Sequence, residues 1–167
     1  MAKFLGICYC ELGDFQKGLV IFNEIASQDN PKYAEDVVKA KENIKLYTNN
    51  RIAKLQGEND FDGIIAVADE MLAVNPQDAL AQKIRLQALF DKKDYAGVIA
   101  SAEEAAAGQT DEEERSDVYF ILGAAYNART MPQQAIDALS KVTAGANVAA
   151  AQKTVAQLKE NAAKANS

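Results

Sequence analysis

Residues 13–31 read GDFQKGLVIFNEIASQDNP. An aspartate and an aromatic open the stretch, apolar residues follow at helical spacing, and Asn-Pro closes it. The pattern returns as NDFDGIIAVADEMLAVNP from Asn59 and as KDYAGVIASAEEAAAGQT from Lys93, then in weaker form as MPQQAIDALSKVTAGAN from Met131. Asp14, Asp60 and Asp94 stand where an N-cap belongs, their carboxylates able to accept the unsatisfied N–H groups of a first helical turn. From Asp14 the copies are 46, 34 and 37 residues apart, with Pro132 in the aromatic slot of the last. A period of this length marks stacked helical units, each burying its apolar face only against its neighbours.

The segments ahead of these helices align as well. LGICYCELGDF (5–15) matches LGAAYNARTMP (122–132), sharing Leu5-Gly6 and Tyr9 with Leu122-Gly123 and Tyr126. The combined pattern resembles the tetratricopeptide (TPR) repeat: Leu-Gly-x-x-Tyr, then Gly-Asp-Tyr, then small and aromatic positions and a proline. The resemblance covers nearly the whole chain. It departs in the middle repeats, where Arg51, Ile52 and Leu55, and Arg85, Leu86 and Leu89, fill the Leu-Gly-x-x-Tyr slots. It implies an all-α, right-handed TPR-type superhelix (a solenoid) of about four repeats, 1–30, 31–75, 76–109 and 110–145, followed by a capping helix over 146–164. The chain begins inside a periodic helix, so further repeats are expected upstream.

Local signals add detail. Pro31 and Pro76 suit a first helical turn, where a missing N–H does no harm. Thr110-Asp111-Glu112-Glu113 reads as a capping box. Residues 31–57 contain no internal proline or glycine before Gly57 and predict one long helix, with Tyr47–Asn50 as the candidate break if there are two. The last helix, from Asn147 to about Ala163, carries Val148, Ala151, Val155 and Leu158 on one stripe, as a solubilising cap does.

Composition narrows the function. Of 167 residues, 49% are apolar and 25% charged, with net charge −6 and neither half basic. That argues against nucleic acid as the main partner, and no run approaches the roughly 20 apolar residues of a membrane span. No secretory signal opens the chain, so the cytoplasm is the default compartment; the periplasm stays open if a leader lies upstream. The chain has no histidine, which removes the commonest general base and every Ser-His-Asp arrangement. No glycine-rich phosphate loop occurs. Neither catalysis, cofactor nor metal is expected.

Cys8 and Cys10 point about 200° apart on a helix, so they cannot close a disulfide with each other. Cys8 shares its slot with Ala88 and Ala125 and is expected to be a small buried side chain, with Cys10 at a variable position. Phe4, Tyr9, Phe15, Phe22, Phe61, Tyr95, Tyr119 and Tyr126 mostly fall on packing positions, whereas Phe90 and Phe120 do not.

In the TPR family the first helix of each repeat lines a concave wall that binds peptides. That resemblance places on the wall Lys3, Ile7, Cys10 and Glu11; Asn49, Ala53 and Gln56; Lys83, Gln87 and Phe90; and Asp117, Phe120, Ala124 and Asn127. The implied function is a non-enzymatic protein–protein interaction scaffold holding a peptide or protein segment. Lys3 and Lys83 imitate part of the family's carboxylate clamp, but Ile7 stands where an asparagine is needed, so a C-terminal carboxylate is not the expected ligand. The alternative is an assembly role, with Phe4, Leu5 and Ile7 exposed at the N-terminal end and the chain stacking or forming homo-oligomers through it.

Overall fold

A computed structural model describes residues 2–167. Among them are nine α-helices, one 3-10 turn and no strand. The helices are α1 (Ala2–Glu11), α2 (Phe15–Ala26), α3 (Ala34–Gly57), α4 (Phe61–Val74), α5 (Ala79–Asp91), α6 (Tyr95–Gly108), α7 (Glu112–Ala128), α8 (Pro132–Leu139) and α9 (Val148–Ala165); the 3-10 turn is Pro31–Tyr33.

One turn is used four times, after α1, α3, α5 and α7. Each places a residue in the left-handed region: Gly13 (φ 86°), Asn59 (53°), Lys93 (67°) and Thr130 (58°). The next residue's N–H reaches back to the carbonyl five positions earlier, Asp14 to Tyr9 (2.8 Å), Asp60 to Leu55 (2.9 Å), Asp94 to Leu89 (2.9 Å) and Met131 to Tyr126 (3.0 Å). The left-handed residue's own N–H donates to the carbonyl of Cys10, Gln56, Phe90 or Asn127. This bond pair is the Schellman closure, which satisfies the last carbonyls of a helix.

The residue that closes one helix then opens the next. Asp14 accepts from the Lys17 N–H at 3.3 Å, Asp60 from Gly63 at 2.8 Å and Asp94 from Gly97 at 2.9 Å. Met131 has no such acceptor; Pro132 starts α8 instead, its missing N–H being one the first turn leaves unbonded anyway.

The chain divides into two compact units, Met1–Ala81 and Gln82–Ser167, the division falling within α5. In the first, Phe15, Leu19, Phe22, Ala40, Ile44, Val67 and Met71 form the core. α1 and α2 approach closely: a Cβ on Gly18 would lie 2.8 Å from the Gly6 carbonyl oxygen, and one on Gly6 would lie 2.8 Å from the Phe22 ring. In the second unit, Gly123 stands under Leu139 as Gly6 stands under Phe22, a Cβ there falling 2.5 Å from Leu139 Cγ. Leu139, Val142 and Ala151 form a cluster over which α9 lays Val148 and Val155.

α3 is one continuous helix of 24 residues. It does not break at Tyr47–Asn50, because that segment is held from several sides. Thr48 is fully buried, its hydroxyl donating to Met71 Sδ at 3.7 Å. The Tyr47 ring stacks on Phe22, centroids 6.3 Å apart.

Two local expectations need correction. Pro76 lies in a turn ahead of α5, not in its first helical turn; Asp78 is the cap, accepting from the Ala81 N–H at 3.1 Å. The cap of α7 is Asp111 rather than Thr110: its carboxylate reaches both the Glu113 and Glu114 N–H groups, at 2.9 and 3.1 Å, which makes it the better acceptor. The acidic run then disperses. Glu112 accepts from the Thr143 hydroxyl (2.8 Å), Glu113 lies against Gly145, and Glu114 pairs with Lys83.

Candidate functional site

The first unit holds Lys3, Ile7, Glu11, Asn49 and Gln56 among the candidate groove residues. Lys3 is half-buried on α1 and pairs with Asp36 at 3.8 Å. Ile7, one turn on, packs against the core, so it is not part of an exposed N-terminal face. Glu11 accepts the Tyr47 hydroxyl at 2.7 Å, tying α1 to the middle of α3. That hydrogen bond, helped by burial and by the Glu11 charge, pushes the Tyr47 phenol up to about 12. Asn49 and Gln56 stand seven residues apart on α3, on one helical face, and both are exposed.

The second unit holds Lys83, Gln87, Phe90, Asp117, Phe120 and Asn127. Lys83 on α5 is gripped by Glu114 and by Asp117, the latter at 2.7 Å. Asp117 turns its other oxygen to the Asn147 side-chain amide at 2.9 Å, just ahead of α9. Burial makes the Lys83 proton easier to lose, but the hydrogen bonds to Asp117 and Glu114 outweigh it and raise the pKa above the ordinary lysine value. Lys83 and Asp117 are therefore partners of each other before they are partners of any ligand. Their separation of 34 residues hid this from a reading of individual repeats.

Gln87 is exposed and donates to Asp91 at 3.0 Å. Phe90 is half-buried, packed edge-on against Tyr95 at 5.5 Å. Phe120 is half-buried against the Leu139–Val142–Ala151 cluster. Asn127 is exposed at the end of α7. Exposed amide side chains thus come from Asn49 and Gln56 in one unit and from Gln87 and Asn127 in the other.

The cysteines exchange the roles expected of them. Cys8 is exposed and Cys10 is half-buried. Cys10 lies on the side of α1 that meets Gly18 of α2, and burial, then the nearby Glu11 charge, pushes its thiol up. Cys8 lies on the opposite side. Its repeat counterpart Ala125 is fully buried because α7 is packed by α6 as well as α8. Phe4, on a packing position of the repeat but expected to be exposed at the N-terminal end, is 63% exposed on the same side as Cys8.

Among the described residues no group of three or more cysteines and carboxylates is placed to hold a metal ion, and no helix is long and apolar enough to cross a membrane. Comparison of the chain with protein-family models, curated proteins and solved structures gave no match.

Proposed function

We propose that this chain is a non-enzymatic protein-interaction module of the TPR kind, binding an extended peptide or protein segment through first-helix side chains. The observation that carries the reading is the fourfold recurrence of one helix–turn–helix joint, down to the same two backbone hydrogen bonds and the same left-handed position. A joint repeated in this way fixes the packing positions and leaves the outward positions of α1, α3, α5 and α7 free to vary, which is how repeat proteins present binding surfaces. Within each unit the exposed amides, Asn49 and Gln56 in the first and Gln87 and Asn127 in the second, suit the backbone of an extended segment, which offers both donors and acceptors.

The test uses residues whose replacement leaves the fold alone. Lys83→Glu is a poor choice, since it sets a third carboxylate beside Glu114 and Asp117. Gln87→Ala with Asn127→Ala removes two exposed amides. A peptide library selected on the parent chain is counter-screened on this double variant. Peptides held by the parent and released by the variant support the groove. No enrichment, or equal retention by both, overturns it.

A second reading rests on a different observation. Phe4 is 63% and Leu5 51% exposed on α1. Large apolar side chains in one patch mark a contact surface, which favours an assembly role for the N-terminal end.

A further inference from the structure

Away from the first helices, α2 and the end of α4 flank a cleft of about 860 Å³ within the first unit. α2 lines it with Val20, Asn23 and Ser27 at helical spacing and with Glu24 and Gln28 beside them; α4 brings Ala73 and Val74. The polar side chains of α2 spend their donors on their own helix. Asn23 donates its amide to the Leu19 carbonyl at 2.9 Å, Ser27 its hydroxyl to the Asn23 carbonyl at 2.7 Å and Gln28 its amide to the Glu24 carbonyl at 3.2 Å. What each keeps for another partner is an oxygen. The end of α4 adds more acceptors. A continuing helix would bond the Leu72 carbonyl through residue 76, but that residue is Pro76, which has no N–H. The Gln77 and Asp78 N–H groups go to Asn75 instead, at 3.1 and 3.0 Å. The last carbonyls of α4, at the negative end of its dipole, therefore border the cleft without those donors. Glu24 is the charged side chain of this lining, and among the described residues no lysine or arginine pairs with it.

We infer that this cleft binds a basic, extended peptide segment, taking an arginine or lysine side chain toward Glu24 and the carbonyl end of α4. The alkyl stem of such a side chain lies along apolar surface while its head seeks acceptors, and Val20, Ala73 and Val74 supply that surface. Lysine and arginine carry N–H donors and no acceptor, the complement of a lining rich in oxygens. The segment's own N–H groups suit the amide oxygens of Asn23 and Gln28. An acidic segment would meet Glu24 and the same dipole end as repulsion. No residue of the cleft lies on a first helix, so the inference does not rest on the peptide-binding wall proposed above.

The probe is a pool of heptapeptides with a central arginine and uncharged flanks, selected on the parent chain at about 150 mM salt, where distant charges are screened. A pool with citrulline at the centre keeps the side chain's shape and removes its charge. Arginine peptides are expected to enrich and citrulline peptides are not. Each enriched peptide is then titrated by fluorescence anisotropy into the parent and two variants. Glu24→Gln removes the charge in the cleft; Asp29→Asn removes an equal, exposed charge that does not line it. Binding is expected to weaken about fivefold or more with Glu24→Gln and less than about twofold with Asp29→Asn. Gln87→Ala with Asn127→Ala is expected to leave these peptides bound. Equal enrichment of the two pools, or of neither, overturns the inference. Binding indifferent to Glu24→Gln, or weakened equally by Asp29→Asn, overturns it as well. Peptides released by the Gln87→Ala, Asn127→Ala variant belong to the first-helix wall; if all of them are, the cleft has no ligand of this class.

Discussion

Thr130 holds φ at 58° in the turn after α7. A β-branched side chain in the left-handed region crowds its own backbone, at a cost of about 1–2 kcal/mol. Gly13 fills the equivalent place in the first turn without that penalty. Thr130→Gly is therefore expected to raise stability by about 1 kcal/mol, offset in part by the freedom glycine adds to the unfolded chain. A urea midpoint that stays put or falls counts against the strain. Tyr47 gives a second check. Its phenol is raised from 10.0 to about 12 by its bond to Glu11, so the folded state holds that proton more tightly than the unfolded one. The stability it contributes is whole below pH 10 and is lost as pH climbs toward 12. The gap in stability between the parent and Tyr47→Phe is expected to shrink over that window; a constant gap removes Glu11 as the cause.

Helix identity was the most legible level. An aspartate before an aromatic marks a start because its short carboxylate reaches the first free N–H groups, and Asp14, Asp60 and Asp94 all do so. Starts without that chemistry were misplaced: α5 begins at Ala79, beyond Pro76, because Asp78 is the acceptor available. Glycines show how the same residue serves opposite ends inside a helix. A Cβ at Gly18 meets the Gly6 carbonyl at 2.8 Å, whereas one at Gly57, in the last turn of α3, meets nothing within 4 Å. Gly18→Ala is expected to cost about 1–3 kcal/mol by forcing α1 away from α2. Gly57→Ala is expected to add about 0.5 kcal/mol by restricting the unfolded chain. Thermal denaturation of the two variants side by side decides it, and equal shifts of the same sign rule out a close α1–α2 crossing.

Over the full chain, what sequence could not supply was which outward positions other elements cover. Phe120 falls on no packing position of the repeat, yet the cluster completed by Ala151 of α9 half-buries it. Cys8 shares a slot with the buried Ala125 yet is exposed, because burial of that slot on α7 depends on α6 packed from outside. Lys83 stands at an expected ligand-contact position, and Glu114 and Asp117 hold it there. Each of these contacts joins different helices, beyond the reach of helical periodicity. The same distribution of contacts makes a claim about independence. Val98, Ala102, Val118, Leu122, Ala125, Ala135, Leu139 and Ala151 are each 4% exposed or less and all lie within Gln82–Ser167. A fragment must still begin before Asp78, or α5 loses its cap. Residues 76–167 alone are therefore expected to stay helical and to unfold in urea in one cooperative step, since this core is complete within the second unit. A gradual loss of ellipticity without a transition shows that this core is not sufficient, and that the second unit draws its order from residues ahead of Pro76.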